Sequence, residues 1–116
     1  MGRLFFSTFE FDRQWERMGL GDADRCMLEN EIAENPHIGA VIRGAGGLRK
    51  MRFALEGRGK SGGARVLYVD FVVLERIYLV TAYPKSQKEN ISAQDCELFR
   101  KLIEQTKIEL GGKDDE

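Results

Sequence analysis

Apolar residues recur at helical spacing near both ends of the chain and at every second position in its middle, a pattern that predicts helices flanking a sheet. Arg3-Leu4-Phe5-Phe6 reads as a short strand. Ser7 or Thr8 then offers an N-cap for a first helix of about three turns in which Phe11, Trp15 and Met18 share one face. Gly19 and Gly21 end that helix. Asp22 caps a second, whose apolar positions Ala23, Met27, Leu28 and Ile32 run until Asn35-Pro36 stops it. Gly39 to Gly47, broken only by Val41 and Ile42, reads as an irregular connection.

From Leu48 the period becomes two. Met51, Phe53 and Leu55 fall on one face of a half-buried strand, with Lys50, Arg52 and Ala54 on the other. A glycine-rich basic loop, Gly57 to Gly63, leads into a strongly β-prone run from Ala64 to Leu74, so the two segments predict a hairpin with a long, mobile turn. Glu75-Arg76 reverses the chain into Ile77 to Tyr83, which is apolar on both faces and therefore reads as a central strand that Pro84 terminates. Ser92 with Asp95 forms a capping-box signature, and Phe99, Leu102, Ile103, Thr106 and Leu110 trace one face of a last helix ended by Gly111. These elements predict an α+β domain spanning residues 1–112: two N-terminal helices, an antiparallel sheet of three to four strands and a C-terminal helix. The helices are expected on one face of the sheet and the other face is expected to stay open. Residues 113–116 read as a disordered acidic tail.

A length of 116 residues, with 42% apolar and 32% charged side chains, bounds this to one small globular domain and excludes a disordered chain or a coiled-coil rod. No apolar run approaches the roughly 18 residues that span a bilayer, and Leu4-Phe5-Phe6 is too short for a signal-peptide core, so a soluble cytoplasmic protein with no membrane partner is expected. Cys26 and Cys96 form no CxxC pair and His37 is the sole histidine; we expect no metal, no cofactor and two buried free thiols.

The formal net charge of −1 conceals a strong segregation. Residues 1–36 carry a net −4, residues 37–65 a net +6, residues 66–88 a net +1 and residues 89–116 a net −4. A basic block therefore sits between acidic flanks, and it acquires meaning if the fold gathers it on one surface.

Two glycine patterns within the block are misleading. Gly57-Arg58-Gly59-Lys60-Ser61-Gly62 satisfies GxGxxG by letter but precedes a strand, leaving no helix N-terminus to receive a pyrophosphate; Gly59-Lys60-Ser61 lacks the upstream glycine of a Walker A loop, since position 54 is Ala54. His37 reads as a surface residue at a helix end, with nothing in the sequence to place a partner beside it. The usual equipment of peptide, ester and glycoside hydrolases is missing: there is no GxSxG elbow, no HExxH and no carboxylate pair near the block.

What remains is a set of cations with tyrosines nearby: Arg49, Lys50, Arg52, Arg58, Lys60, Arg65, Lys85 and Lys88, with Tyr68 and Tyr83. The plain reading is a solvated charged face. The excess of seven basic residues over one acid in residues 37–65 favours a phosphate-rich ligand. Guanidinium groups match phosphate oxygens bidentately and tyrosine faces stack bases, which suits RNA or single strands better than duplex DNA.

Taken in order, Asn35-Pro36-His37-Ile38-Gly39, Gly46-Gly47-Leu48-Arg49-Lys50-Met51-Arg52, Arg65-Val66-Leu67-Tyr68 and Leu79-Val80-Thr81-Ala82-Tyr83-Pro84-Lys85 resemble the RelE superfamily of toxin–antitoxin toxins in its HigB branch, over roughly residues 4–110. The resemblance implies a small α+β fold and an mRNA interferase that cuts message in the ribosomal A site. It also implies an antitoxin with a helix-turn-helix domain as partner, and operator DNA met only through that antitoxin. The implied chemistry is attack of the RNA 2′-OH on the adjacent phosphate, served by Lys and Arg in place of histidines. Carried over by position, Lys50 and Arg52 become base and phosphate contact and Arg65 stabilises the transition state. Lys85 becomes acid or further phosphate contact, as does Lys88, and Arg49, Arg58, Lys60, Tyr68 and Tyr83 become RNA-binding.

The sequence departs from this pattern in two places. The family's arginine is replaced by Ser86, and the last helix has no tyrosine, so Tyr83 stands as a weak substitute acid that reads more readily as packing. A lysine serves as base where neighbouring cations disfavour its charged form, and Arg49, Arg52 and Arg65 are expected to crowd Lys50. Two other functions stay open: a RelE-like module that grips RNA or the ribosome without cutting, and a ParE-type gyrase inhibitor.

Overall fold

The computed structural model describes residues 3–55, 63–87 and 91–111. In chain order the elements are β1 (Leu4–Ser7), α1 (Phe9–Arg17), α2 (Asp22–Glu34), β2 (Ala40–Val41), β3 (Leu48–Phe53), β4 (Ala64–Phe71), β5 (Arg76–Pro84) and α3 (Ala93–Glu109). The class is α+β, as the hydrophobic pattern predicts. The sheet differs: it has five strands in the order β1-β5-β4-β3-β2, and β1 runs parallel to β5 while the other pairs are antiparallel.

The local signals behave as their chemistry requires. Thr8 is the N-cap of α1, its hydroxyl accepting from Phe11 N at 2.9 Å while donating to Val80 O at 2.6 Å, so one side chain both starts the helix and ties it to β5. At α2 the N-cap is Gly21 instead of Asp22, and Asp24 reaches back to accept from Gly21 N at 3.1 Å. Ser92 caps α3 by accepting from Asp95 N at 3.0 Å, and Gly111 supplies the left-handed φ of 117° just beyond its end.

Two departures have identifiable causes. The Gly39–Gly47 connection contains the edge strand β2, whose Ala40 and Val41 pair with Lys50 and Arg49; two residues carry too little periodicity to be read from sequence. The reversal after β4 occupies Val72 to Glu75, with Glu75 at φ 55° and its N–H bonded to Val72 O at 3.1 Å, so β4 ends at Phe71.

The sheet is covered on both faces, which corrects the open-faced expectation. On one face Phe11 and Trp15 of α1 and Leu28 and Ile32 of α2 pack with Met51, Phe53, Val66, Tyr68, Ile77, Leu79 and Ala82. On the other, Ile103 of α3 packs with Leu48, Leu67, Val69, Phe71, Val80 and Tyr83. β5 serves both clusters by the alternation of its side chains, and a bulge shifts that alternation part-way along: Leu67 pairs with Thr81 but Tyr68 pairs with Leu79, so Val80 is the extra residue. Cys26 and Cys96 are free, as expected, but Cys26 is exposed and Cys96 half-buried, so neither thiol belongs to a sealed core.

Candidate active site

The pleat of β3 sends Leu48, Lys50 and Arg52 to the α3 side and Arg49, Met51 and Phe53 to the side of α1 and α2. On the α3 side, Arg52 stands directly opposite Arg65 of β4, and Arg65 directly opposite Tyr83 of β5. One rung away, Lys50 faces Leu67 and Leu67 faces Thr81. Three cations, Lys50, Arg52 and Arg65, thus meet on one face at the end of the β3–β4 ladder, with Cβ atoms of directly paired residues ~5 Å apart. Arg52 is exposed, and Lys50 and Arg65 are half-buried. Lys85 joins the same end of the sheet, since Pro84 pairs with Ala64 and Lys85 N donates to Gly63 O at 2.9 Å.

Other members of the expected set are placed differently. Arg49 lies on the opposite face from Lys50, donating Nη1 to Gly39 O at 2.8 Å, so the crowding around Lys50 comes from Arg52 and Arg65 alone among the three arginines. Tyr68 is fully buried: its hydroxyl donates to Pro36 O at 2.7 Å and accepts from Gly39 N at 3.0 Å. Burial pushes its phenol above the ordinary value, outweighing the opposing pull of the Gly39 hydrogen bond and of Arg49. A ring enclosed in this way offers no face to a base, which corrects the stacking role. Tyr83 is 3% exposed and belongs to the cluster under α3, so packing is what its ring does. Arg58, Lys60 and Lys88 lie outside the described residues.

On α3 the arginine is paired within its own helix. Arg100, the arginine of α3, is held by Glu97 and Glu104, with Nη1 to Glu104 Oε2 at 2.9 Å. The hydrogen bonds with Arg100 in turn hold the Glu97 carboxyl below its usual range. The buried carboxylate of Asp70 is likewise neutralised, on the other face. Arg3 grips it bidentately at 2.7 and 3.0 Å, and His37 Nε2 stands 3.4 Å from its Oδ2. His37 is therefore half-exposed, as expected of a surface residue, but has a partner 33 positions away that no sequence signal marked.

A cleft of about 480 Å³ adjoins the cation rung where α1, the end of β5 and the start of α3 meet, with Gln14, Tyr83, Gln87, Asp95 and Phe99 among its lining residues. Its residues come from α1 and from positions 81–102, two parts of the chain far apart in sequence, which is why no sequence pattern marks it.

The model of the RelE toxin of the RelE/RelB toxin–antitoxin system matches residues 3–110, nearly the whole chain. This protein belongs to the RelE toxin family. The fold is shared with solved structures at low identity. E. coli toxin RelE, as an arginine-to-alanine double mutant in the free state, superimposes with a TM-score of 0.54 at 20% identity, covering 77% of this chain and 90% of that one. The intact E. coli RelBE toxin–antitoxin complex matches with a TM-score of 0.50 at 20% identity, covering 70% and 94%. The RelE mutant bound to a peptide of the antitoxin matches with a TM-score of 0.50 at 18% identity, covering 82% and 90%. RelE family membership fits the small size and the α+β order of elements.

Proposed function

We propose that this chain is the toxin of a HigB-type toxin–antitoxin pair, a RelE-family endoribonuclease that cleaves mRNA in the ribosomal A site without a metal. The observation that supports this reading above all others is the convergence of Lys50, Arg52 and Arg65 on one face, drawn from two strands whose register sets them one rung apart. Arg52 and Arg65 bind the non-bridging oxygens of the scissile phosphate. Lys50 removes the proton of the 2′-OH, and the 2′ oxygen bonds to phosphorus as the bond to the 5′ oxygen breaks. Lys85 delivers a proton to that leaving oxygen, so the products are a 2′,3′-cyclic phosphate and a 5′-hydroxyl. Arg65, between Arg52 and the strand β5, meets the charge that develops on the phosphorane, an interaction commonly worth ~3 kcal/mol.

The cognate partner is an antitoxin with a helix-turn-helix domain, through which alone the pair meets operator DNA. The acidic N- and C-terminal segments disfavour indiscriminate binding to free nucleic acid, so message held by the ribosome in the cytoplasm is the target.

Arg65→Ala in a translation extract is the test. Message cleavage is expected to fall by about 10²–10³-fold while ribosome association changes little. Equal loss of both would make the protein a binding module, and unimpaired cleavage would overturn the assignment of Arg65.

A further inference from the structure

β4 runs past the start of β3. Leu48, the first residue of β3, stands opposite Val69, so Asp70 and Phe71 have β5 on one side and a notch in the sheet on the other. A cavity of about 210 Å³ occupies that notch, with His37, Arg49, Lys107, Asp70, Gly46 and Gly47 among its lining residues. That volume is below the roughly 300 Å³ at which pockets for whole small molecules begin, and it suits one compact group.

The charge of the cavity is one-sided. His37 enters from the connection after α2, Arg49 from β3 and Lys107 from the last turn of α3, so three segments deliver three basic side chains. Asp70 is the one acid among the lining residues and is already satisfied: Arg3 donates to both its oxygens, at 2.7 and 3.0 Å, and its side chain is 1% exposed. Arg49 commits one N–H to Gly39 O at 2.8 Å, and a guanidinium carries five. Among the described residues neither Arg49 nor Lys107 is in an ion pair. Gly46 and Gly47, at φ 71° and 100°, hold a backbone conformation that side chains disfavour and leave that wall without bulk.

A small cavity with surplus positive charge takes an oxyanion, and a guanidinium beside an ammonium suits phosphate. The cavity is separate from the cation rung. Asp70 lies ~17 Å along β4 from Arg65 at the rise of an extended strand, so one phosphate cannot touch both.

From this arrangement we infer that the notch is a second phosphate-binding site, held by Arg49, Lys107 and His37, and that the phosphate it takes belongs to the backbone of a nucleic-acid strand. The strand as the source rests on the proposed RNA reading; the phosphate site itself does not.

His37 is the sole histidine, so its imidazole C–H signals in an NMR spectrum report on the cavity alone. Isotope-labelled full-length protein is titrated at fixed pH and ionic strength with inorganic phosphate and with a 2′-O-methyl uridine trinucleotide that lacks terminal phosphates and cannot be cut by 2′-OH attack. Sodium chloride is the control. Phosphate and the trinucleotide are each expected to move the His37 signals and the Gly46 and Gly47 amides saturably, and chloride to leave them in place. Lys107→Met, which keeps the helix and the aliphatic stem, is expected to weaken both ligands about tenfold, the value of a hydrogen bond to a charged group, and Arg65→Ala to leave the His37 response unchanged.

Signals that phosphate moves no more than chloride does, or an unchanged affinity in Lys107→Met, would overturn the site. A response to phosphate without one to the trinucleotide would overturn the strand as its source, and loss of the His37 response in Arg65→Ala would overturn its independence of the rung. Message cleavage by Arg65→Ala in a translation extract bears on the proposed reaction alone, so the two readings fail separately.

Discussion

Arg52 and Arg65 face each other directly across the β3–β4 ladder, on the same side of the sheet. Like charges in opposed positions destabilise a strand pair, so this rung costs stability at the place where the proposed function puts a phosphate.

Replacing Arg52 with Gln should therefore separate stability from activity. The variant is expected to gain about 0.2–1 kcal/mol in urea unfolding, by relief of the cross-strand repulsion, while its message cleavage drops. A variant that lost both would show that the pair is structurally favourable.

Tyr68 bridges the end of α2 to the sheet through Pro36 O and Gly39 N. Tyr68→Phe orphans both groups and should cost about 1–3 kcal/mol in chemical denaturation. The same hydroxyl has a pH signature. Its folded value is raised, so the unfolded chain releases the phenolic proton first, and the stability that the group contributes is complete below pH ~10 and declines as pH rises above it. The stability difference between the native protein and Tyr68→Phe should narrow in that alkaline window.

The Arg3–Asp70 pair ties the residue before β1 to β4, with the Asp70 carboxylate only 1% exposed. Arg3→Ala leaves that carboxylate buried with the partly exposed His37 as its remaining described ion-pair partner, should that imidazole be protonated, and should cost about 3 kcal/mol. Because Asp70 pairs with Ile77, far along the ladder from the Arg52–Arg65 rung, the cleavage rate of the folded fraction should be unchanged.

Ile103 anchors α3 over the second face at 2% exposure, whereas Ile108 on the same helix is 68% exposed. Ile103→Ala should lose about 2–5 kcal/mol by cavity formation, and Ile108→Ala should stay within about 0.5 kcal/mol of the native protein. Thermal unfolding of the two variants distinguishes a helix packed on the sheet from one merely tethered to it.

Much of the fold is legible in the chain. The α1 face of Phe11 and Trp15, the Ser92 cap, the alternation of β3 and the interior position of β5 follow from patterns contained within a single element. The second helix is less legible: Leu28 and Ile32 are buried, but Met27 is 54% exposed, because a pattern of apolar residues does not say which edge of the stripe meets the sheet. The candidate site divides in the same way. Strand periodicity puts Lys50 and Arg52 on one face and Arg49 on the other, whereas the inward turn of Tyr68 depends on which face α1 and α2 cover.

The sequence by itself determined the elements, the charge segregation and the common face of Lys50 and Arg52, since side-chain direction in a helix or strand is set by local backbone geometry. Only the tertiary structure decided that β1 enters parallel to β5, that α3 closes the second face and that Arg65 falls opposite Arg52 with Tyr83 beside it. These are relations between segments tens of residues apart, and they are settled by which faces can be buried together, a quantity that no local pattern contains.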